Sequence, residues 1–174
     1  SDGTTATVLQ YAVYDAAGNY LKDLTVNNAE IHGSTTVSLT LTTGNTYSVI
    51  FWAAAPNAPY TVDFEYKTMT VDYTAAVSND EARDAFFKRH TFTVTGAQTE
   101  TIELRRPFAQ INIGTADYAD SQKAGYTPTM SAVTVKNLGD QLNFATGKVS
   151  GVAEARVFAT ADIKKDETFP VAGY

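Results

Sequence analysis

Two carboxylates are spaced so that they could act together in catalysis. Asp63 and Glu65 are separated by one residue in the stretch VDFEYKT. A pair of carboxylates can provide the acid and the nucleophile or base of glycoside hydrolysis. On a strand this spacing places both on one face, with apolar residues on the other. The pattern therefore favours the solvated face of a half-buried strand, and it leaves catalysis by this pair as the weakest hypothesis.

Metal and thiol chemistry have little support in this sequence. The chain has no cysteine and two histidines, His32 and His90, neither of which has a second histidine at ligand spacing. Both histidines lie in stretches typical of a protein surface. Asp117 and Asp120, with Ser121, lack the glycine and the bidentate glutamate of a calcium loop. We therefore predict that the protein is not an enzyme and requires no cofactor.

An arginine pair and a proline interrupt an apolar strand in TIELRRPFAQINIG, residues 101–114. The apolar positions are even before the interruption and odd after it: Ile102 and Leu104, then Ala109, Ile111 and Ile113. Pro107 has no N–H, so it cannot lie within a continuous central ladder. We predict a bend at Arg106 and Pro107 that carries the strand from one sheet to the other, with both groups of apolar residues facing the core. An anion site at the arginines is the less favoured interpretation.

A period of two dominates the rest of the chain. Apolar residues alternate over 37–41, over 47–53 and over 60–66. In YSVIFWA, residues 47–53, both faces are apolar, which predicts a strand buried on both sides. Turn stretches such as DAAGN and TTGN separate these runs. Short strands with regular turn signals between them are typical of a β-sandwich.

Two segments depart from the period of two. Ser78 and Glu81 have capping-box spacing at the start of SNDEARDAFFKRH, and the basic residues at its end suit a helix dipole. A weaker helix candidate runs from Asp117 to Ala124 and ends at Gly125. The sequence thus predicts an all-β fold with one or two short helices in its connections.

The composition narrows the class of partner. The chain has 174 residues and a formal net charge of -6, and its 13 Lys and Arg are scattered, so no nucleic acid partner is expected. No apolar run approaches the roughly 18 residues of a membrane span. Because the chain opens with Ser1 and not Met, either a leader has been removed or the sequence is a trimmed piece of a longer chain. A removed leader would imply export, which is the expectation favoured here.

Aromatic residues are dense between residues 47 and 73. Their alternation mainly indicates core. The alternative is an exposed aromatic surface, with Trp52 and Tyr60 as its ligand-binding residues.

Three stretches together resemble a known family: YSVIFWA, DEARDAFF and TIELRRPFAQINIGT. They are similar to the N-terminal domain of Bacteroides-type fimbrillins, the subunits of type V pili, and to their surface-lipoprotein relatives. In that family a strand that ends in an FWA-like triplet is followed by a long connecting segment. A strand with the pattern L-x-R-x-x-A-x-I/V-x-I comes next. The matching positions here are Leu104, Arg106, Ala109, Ile111 and Ile113. The likeness spans most of residues 6–160.

The resemblance implies a transthyretin-like Greek-key β-sandwich of about seven strands, here residues 1–160. Residues 161–174 are then an edge strand or a linker towards a possible second domain. It further implies export as a lipoprotein to the cell surface and outer membrane, cleavage after an arginine, and assembly of a fimbria by donor-strand exchange. The implied partners are other pilus subunits. The resemblance implies contact with the membrane only through a lipid anchor on the removed leader. The alternative function is a surface-anchored module that binds a glycan or a host ligand.

Overall fold

A computed structural model describes residues 2–78, 80–111 and 116–160. These residues form ten strands, one α-helix and two 3-10 turns. The strands are β1 (Val8–Asp15), β2 (Val26–Glu30), β3 (Thr46–Ala54), β4 (Tyr60–Asp63), β5 (Thr68–Val71), β6 (Ala85–Thr93), β7 (Ser131–Val135), β8 (Gln141–Asn143), β9 (Val149–Ser150) and β10 (Arg156–Thr160). The helix, α1, is Tyr118–Lys123, and the 3-10 turns are Lys22–Leu24 and Glu81–Arg83.

The chain divides into two compact units, each discontinuous in sequence. The first comprises Ser1–Val71, Glu81–Phe108 and Gln141–Ser150. The second comprises Asp72–Asp80, Ala109–Asp140 and the chain from Gly151 onward. The first unit contains two four-stranded sheets, and the second contains a two-stranded sheet.

The first sheet has the strand order β2-β1-β3-β6, and all its pairs are antiparallel. β1 pairs with β3 from Val8 opposite Ala54 to Asp15 opposite Tyr47. β3 lies between β1 and β6, and its burial pattern shows seven buried residues among nine. The predicted burial of this strand on both sides is therefore confirmed. It follows from the run of apolar and small side chains, which can be covered on either face.

The second sheet has the order β4-β5-β8-β9. β4 and β5 form a hairpin whose tight turn ends at Lys67, with φ 56° in the left-handed region. The alternation of the sequence predicts a strand that continues to Tyr66, and this prediction is wrong. The strand ends at Asp63, and Tyr66 is 75% exposed in the turn.

One aromatic core lies between these two sheets. The Phe144 ring, which follows β8, lies 5.7 Å from the Trp52 ring of β3 and 5.1 Å from the Phe87 ring of β6, measured between centroids. Phe64, from the β4–β5 turn, stacks on Phe144 at 6.3 Å. Because both sheets supply side chains to the same core, the predicted all-β sandwich is confirmed. Aromatic side chains supply much of the buried apolar area that stabilises such a core.

A buried hydrogen bond ties the two sheets together and yields a prediction. The hydroxyl of Tyr14, on β1, donates to the backbone carbonyl of Phe64 at 2.5 Å. In Tyr14→Phe this buried carbonyl loses its donor, and we expect a loss of about 1–2 kcal/mol in the free energy of unfolding. The measurement is urea unfolding, with Tyr11→Phe as the matched control, since the Tyr11 hydroxyl has no hydrogen bond within the described chain.

The same variant should change the pH dependence of stability. Burial is the main cause that raises the pKa of Tyr14 above its usual value, followed by the nearby Tyr20 and Asp63. An unfolded tyrosine ionises near pH 10. The contribution of Tyr14 is therefore fully present below about pH 10 and is lost as the pH rises above it. Tyr14→Phe should lose less stability than the wild type between about pH 9 and 11, and equal losses would contradict this account.

The other face of the first sheet carries a second apolar cluster. Its buried members come from β1, from β3 and from the residue that follows β6: Leu9, Tyr11, Val13, Tyr47, Val49, Ala53 and Val94. No sheet covers this face in the described chain. The half-buried residues that pack on it include Val37, Leu39 and Leu41 from one connection and Leu104 from another.

The helix predicted over SNDEARDAFFKRH is wrong. Only the 3-10 turn Glu81–Arg83 forms, and the chain then enters β6 at Ala85. β6 pairs with β3 over its full length, from Ala85 opposite Ala54 to Thr93 opposite Thr46. A full-length ladder beside a buried strand outweighs local helix signals of a few tenths of a kcal/mol each.

The second unit contains β7, β10 and α1. β7 and β10 pair antiparallel, with Val133 opposite Phe158. α1 confirms the second predicted helix, and Tyr118 is its buried residue. None of the described helices has the length and hydropathy needed to cross a bilayer. The expected edge strand or linker at 161–174 lies outside the described residues.

Candidate functional site

The carboxylate pair lies at a turn. Asp63 ends β4, Glu65 follows in the turn, and both are exposed, whereas Phe64 between them is buried. The Asp63 carboxylate accepts a hydrogen bond from the backbone N–H of Tyr66 at 3.0 Å. This is a turn-stabilising contact of a kind that aspartate commonly makes. The structure thus gives Asp63 a structural role, and the absence of enzymatic activity stays a prediction.

The histidines are each paired with one glutamate. Nε2 of His32 lies 2.6 Å from Oε1 of Glu30, and Nε2 of His90 lies 2.6 Å from Oε2 of Glu100. His90 lies on β6, where the sequence predicted a helix end. Within residues 2–78, 80–111 and 116–160, no group of three or more His, Cys, Asp or Glu is placed to hold a metal ion.

Arg106 binds a carboxylate of the same chain. Its Nε and Nη2 atoms donate to the two carboxylate oxygens of Asp84 at 2.6 and 2.8 Å. The Asp84 side chain is 8% exposed, and the Arg106 guanidinium lies 4.8 Å from the centre of the Phe86 ring. The hydrogen bonds that Arg106 donates to Asp84 are the main cause that raises the pKa of Arg106. This bidentate pair fixes the chain at Arg106 to the start of β6, so the guanidinium is already engaged.

The chain bends immediately after this arginine, at Pro107 and Phe108. Just before the bend, Arg105 forms an isolated antiparallel bridge with Phe87, with N–O distances of 2.8 and 3.0 Å. The bend thus falls one residue later than predicted. A crossing from one sheet to the other stays a prediction, because residues 112–115 lie outside the described chain.

The residues after the bend do not face the core as predicted. Ala109 is exposed and Ile111 is 51% exposed, so the prediction that both point inward is wrong. Phe108 is the residue that packs inward, and its ring stacks on Tyr60 with centroids 5.5 Å apart. The phenyl ring of Phe108 fills the space beside Trp52 and Tyr60 better than the methyl group of Ala109 could. Ile113 lies outside the described residues.

Trp52 and Tyr60 pack against each other, and they do not form an exposed platform. Their ring centroids are 5.2 Å apart in an edge-to-face arrangement. Trp52 is 1% exposed, so the hypothesis that it stacks on a ligand is wrong. Tyr60 is half-buried, and its hydroxyl donates to the backbone carbonyl of Arg83. The inward direction follows from the alternation of β3, which places Trp52 on the face that meets the second sheet.

Two stretches of backbone stand out because they lack partners. They are residues 35–41 and residues 99–104, which we call the open segments. Neither is a strand of any sheet, and no backbone N–H or C=O in either has a hydrogen-bond partner within the described chain. Strand-like backbone beside an apolar face usually pairs with another strand. These two runs instead leave their backbone groups open to water or to a further chain.

The open segments have the side-chain pattern of strands. Burial alternates over residues 36–41 and over residues 101–104, with residues 37, 39 and 41 half-buried in the first segment and residues 102 and 104 half-buried in the second. Leu39 and Leu104 both pack on the apolar cluster of the first sheet. The segments thus form part of a layer over this face in which the side chains are in place but the ladder hydrogen bonds are not.

The sequence predicts which side chains of the open segments point inward. It does not predict that their backbone groups lack hydrogen-bond partners. The alternation over 37–41 and at 102 and 104 predicts strands, and it does give the correct inward positions. The sequence of one strand does not show whether a second strand pairs with it, because strand pairing depends on residues elsewhere in the chain. The open edges became visible only in the structure.

Fold and site together define an all-β sandwich with open strand-like edges over an apolar face. A family model described as "Family of unknown function (DUF6562)" matches residues 6–172, and the chain belongs to this family. No curated protein matches the sequence.

A solved structure from Bacteroides thetaiotaomicron VPI-5482 has a similar fold. It is described as one of the "putative polysaccharide binding proteins (DUF1812)". The TM-score is 0.54 at 17% identity, and the match covers 99% of this chain and 63% of that chain. This chain therefore spans less than two thirds of the length of that relative. At this identity the likeness shows the fold alone.

Proposed function

We propose that this domain is a structural subunit of a cell-surface fimbria and that it binds a strand donated by a neighbouring subunit. The observation that carries the proposal is the pair of open segments, with unpaired backbone beside a buried apolar cluster. An added strand gains affinity from main-chain hydrogen bonds and specificity from alternate side chains that fill pockets. The unpaired backbone that such a strand needs lies beside apolar side chains on this face.

The composition of the first open segment supports this proposal. Residues 35–41 read TTVSLTL, with no charge and no proline. Proteins that remain monomeric usually protect exposed edges with lysine, proline, bulges or a covering element. An unprotected neutral edge is a liability in a monomer, and it is suited to a domain that pairs with another chain.

The second open segment has a different surface. Residues 99–104 read TETIEL, in which the exposed Glu103 lies between the half-buried Ile102 and Leu104. Glu100 is also exposed, and its carboxylate is hydrogen-bonded to His90. One edge is therefore neutral and the other acidic. A donated strand with basic residues at its outward positions fits the acidic edge best. This sign of charge is a property of the partner that can be sought in its sequence.

Export and surface location belong to the same proposal. The resemblance to fimbrillins implies a lipoprotein precursor, an outer-membrane location and other pilus subunits as partners. The open edges are consistent with that route, because under this proposal the donated strand comes from another subunit at the cell surface.

The proposal predicts assembly of the full-length protein. After the processing step implied by the resemblance, size-exclusion chromatography should show a concentration-dependent series of oligomers, and electron microscopy should show filaments. The control is the unprocessed protein, which should remain monomeric. Processed protein that stays monomeric at all concentrations would contradict the proposal.

Glycan binding is the second candidate function, and a different observation favours it. The predicted aromatic platform is absent, because Trp52 is buried. However, an uncharged cleft lies on the face of the first sheet opposite to the open segments. The printed description of the structural neighbour also names polysaccharide binding, and it applies to that protein.

A further inference from the structure

A cleft of about 260 Å³ in the first unit is lined by residues of β1, β2 and β3, by the β3–β4 connection and by the start of β4. Three primary amides line it, from Gln10, Asn27 and Asn57. Trp52 and Tyr60 lie among its apolar lining residues. Its volume is slightly below the roughly 300–1,000 Å³ of pockets for drug-sized ligands, so it suits a ligand of about one ring.

The strand register explains how two of the amides come together. Gln10 of β1 lies directly opposite Trp52 of β3. On the other side of β1, the register with β2 shifts, because Leu9 pairs with Ala29 and Tyr11 pairs with Val26. Gln10 thus faces two residues of β2, and Asn27 is one of them. Such a β-bulge redirects side chains and is frequent beside binding sites.

A tight turn supplies the third amide. The backbone N–H of Ala58 donates to the carbonyl of Ala55 at 3.2 Å, which closes a turn with Pro56 and Asn57 at its centre. Asn57 has φ 62°, in the left-handed region that a type II turn requires at this position. Asparagine tolerates this conformation better than most residues, and proline before it fixes the turn.

All three amides are available to a ligand. No side-chain hydrogen bond joins Gln10, Asn27 or Asn57 to another described residue. Each amide offers two donors and one carbonyl acceptor. A cleft with several such groups and an apolar floor can bind vicinal hydroxyls at its rim while the floor covers C–H groups. None of its lining residues carries a charge.

We propose that this cleft binds one neutral pyranose ring of a glycan. This inference rests on the second candidate function and gives it a site. Phosphorylated ligands do not fit, because no lysine or arginine lines the cleft. Uronic and sialic acids do not fit either, since the cleft has no cation and the chain has a net charge of -6. Recognition by amides, without an exposed aromatic face, should give weak binding in the millimolar range, about -4 kcal/mol.

The test is an NMR titration of the 174-residue chain with glucose, galactose, mannose, N-acetylglucosamine and their neutral disaccharides. At least one probe should give saturable backbone shifts at the cleft residues, and glucuronic acid should give none. Asn57→Gly removes one amide but retains the left-handed turn, and it should weaken binding about 3- to 10-fold. Adding Gln10→Ala should weaken it about 10- to 100-fold.

The matched control is Asn137→Gly. Asn137 is also exposed with a left-handed φ of 57°, and it does not line the cleft. This variant should bind the sugar as the wild type does. The inference is overturned if no neutral sugar shifts the cleft residues, if the shifts lie elsewhere, or if the double variant binds normally. A sugar that binds elsewhere on the chain leaves glycan binding as a function but rejects this site.

Discussion

Proline at position 37 or 38 is expected to block strand capture while leaving the monomer folded. Consecutive residues of a strand direct their N–H groups to opposite edges, so Val37→Pro and Ser38→Pro each remove the N–H from one edge of the first open segment. These N–H groups have no partner in the described chain. The variants should therefore retain most of their stability. An incoming strand at the affected edge is left with an unsatisfied carbonyl.

The expected size of this effect is large. A buried group without its partner costs about 1–3 kcal/mol, which corresponds to about 5- to 150-fold in the assembly constant. The measurement is the oligomer distribution of the processed full-length protein, with urea unfolding to verify the fold. Ser38→Ala is the control, because it keeps the N–H. If both proline variants are folded and both assemble like the wild type, residues 35–41 are not an acceptor edge.

Removing the Trp52 ring should give the largest loss of stability. Trp52→Ala deletes a 1% exposed indole that contacts Tyr60, Phe108 and Phe144. Large-to-small changes of buried aromatic residues lower the free energy of unfolding by about 3–5 kcal/mol. The loss combines the transfer free energy of the removed atoms with the cost of the cavity that remains. A small domain has a total stability of about 5–15 kcal/mol, so the variant should be close to unfolding at 37 °C.

Urea unfolding measures this loss, and Tyr66→Ala is the control. Tyr66 is 75% exposed, and its turn hydrogen bond to Asp63 uses only the backbone N–H. The control should therefore change the free energy of unfolding by no more than about 0.5 kcal/mol. Similar effects of the two substitutions would contradict the assignment of Trp52 to the core.

The sequence is informative where a single element contains the whole signal. In β3, every side chain of YSVIFWA is apolar or small, and this alone predicts a strand buried on both sides. The short helix α1 is also predicted, since it lies between Asp117 and Gly125 with local start and stop signals. Both predictions depend on residues within one stretch of chain.

The sequence is misleading where a distant partner decides the outcome. Residues 85–93 contain helix signals, but alternation is also present, with Phe86 and Phe92 on one face and Phe87 on the other. The neighbouring β3 selects the strand. For the same reason the open segments and the bulge beside Gln10 could not be predicted, since both depend on register with another strand. The turn at Pro56 and Asn57 could have been found from its Pro-Asn pair.

Amide hydrogen exchange on the processed full-length protein, followed residue by residue before and after assembly, tests the central claim most directly. In the monomer, residues 35–41 and 99–104 should exchange rapidly, whereas β1 and β3 should be strongly protected, because only the strands have ladder hydrogen bonds. After assembly, alternate amides of at least one open segment should become protected by about 100-fold or more, as ladder bonds to a donated strand require. Strong protection of both segments in the monomer, or no added protection in the assembled protein, would contradict strand capture at these edges.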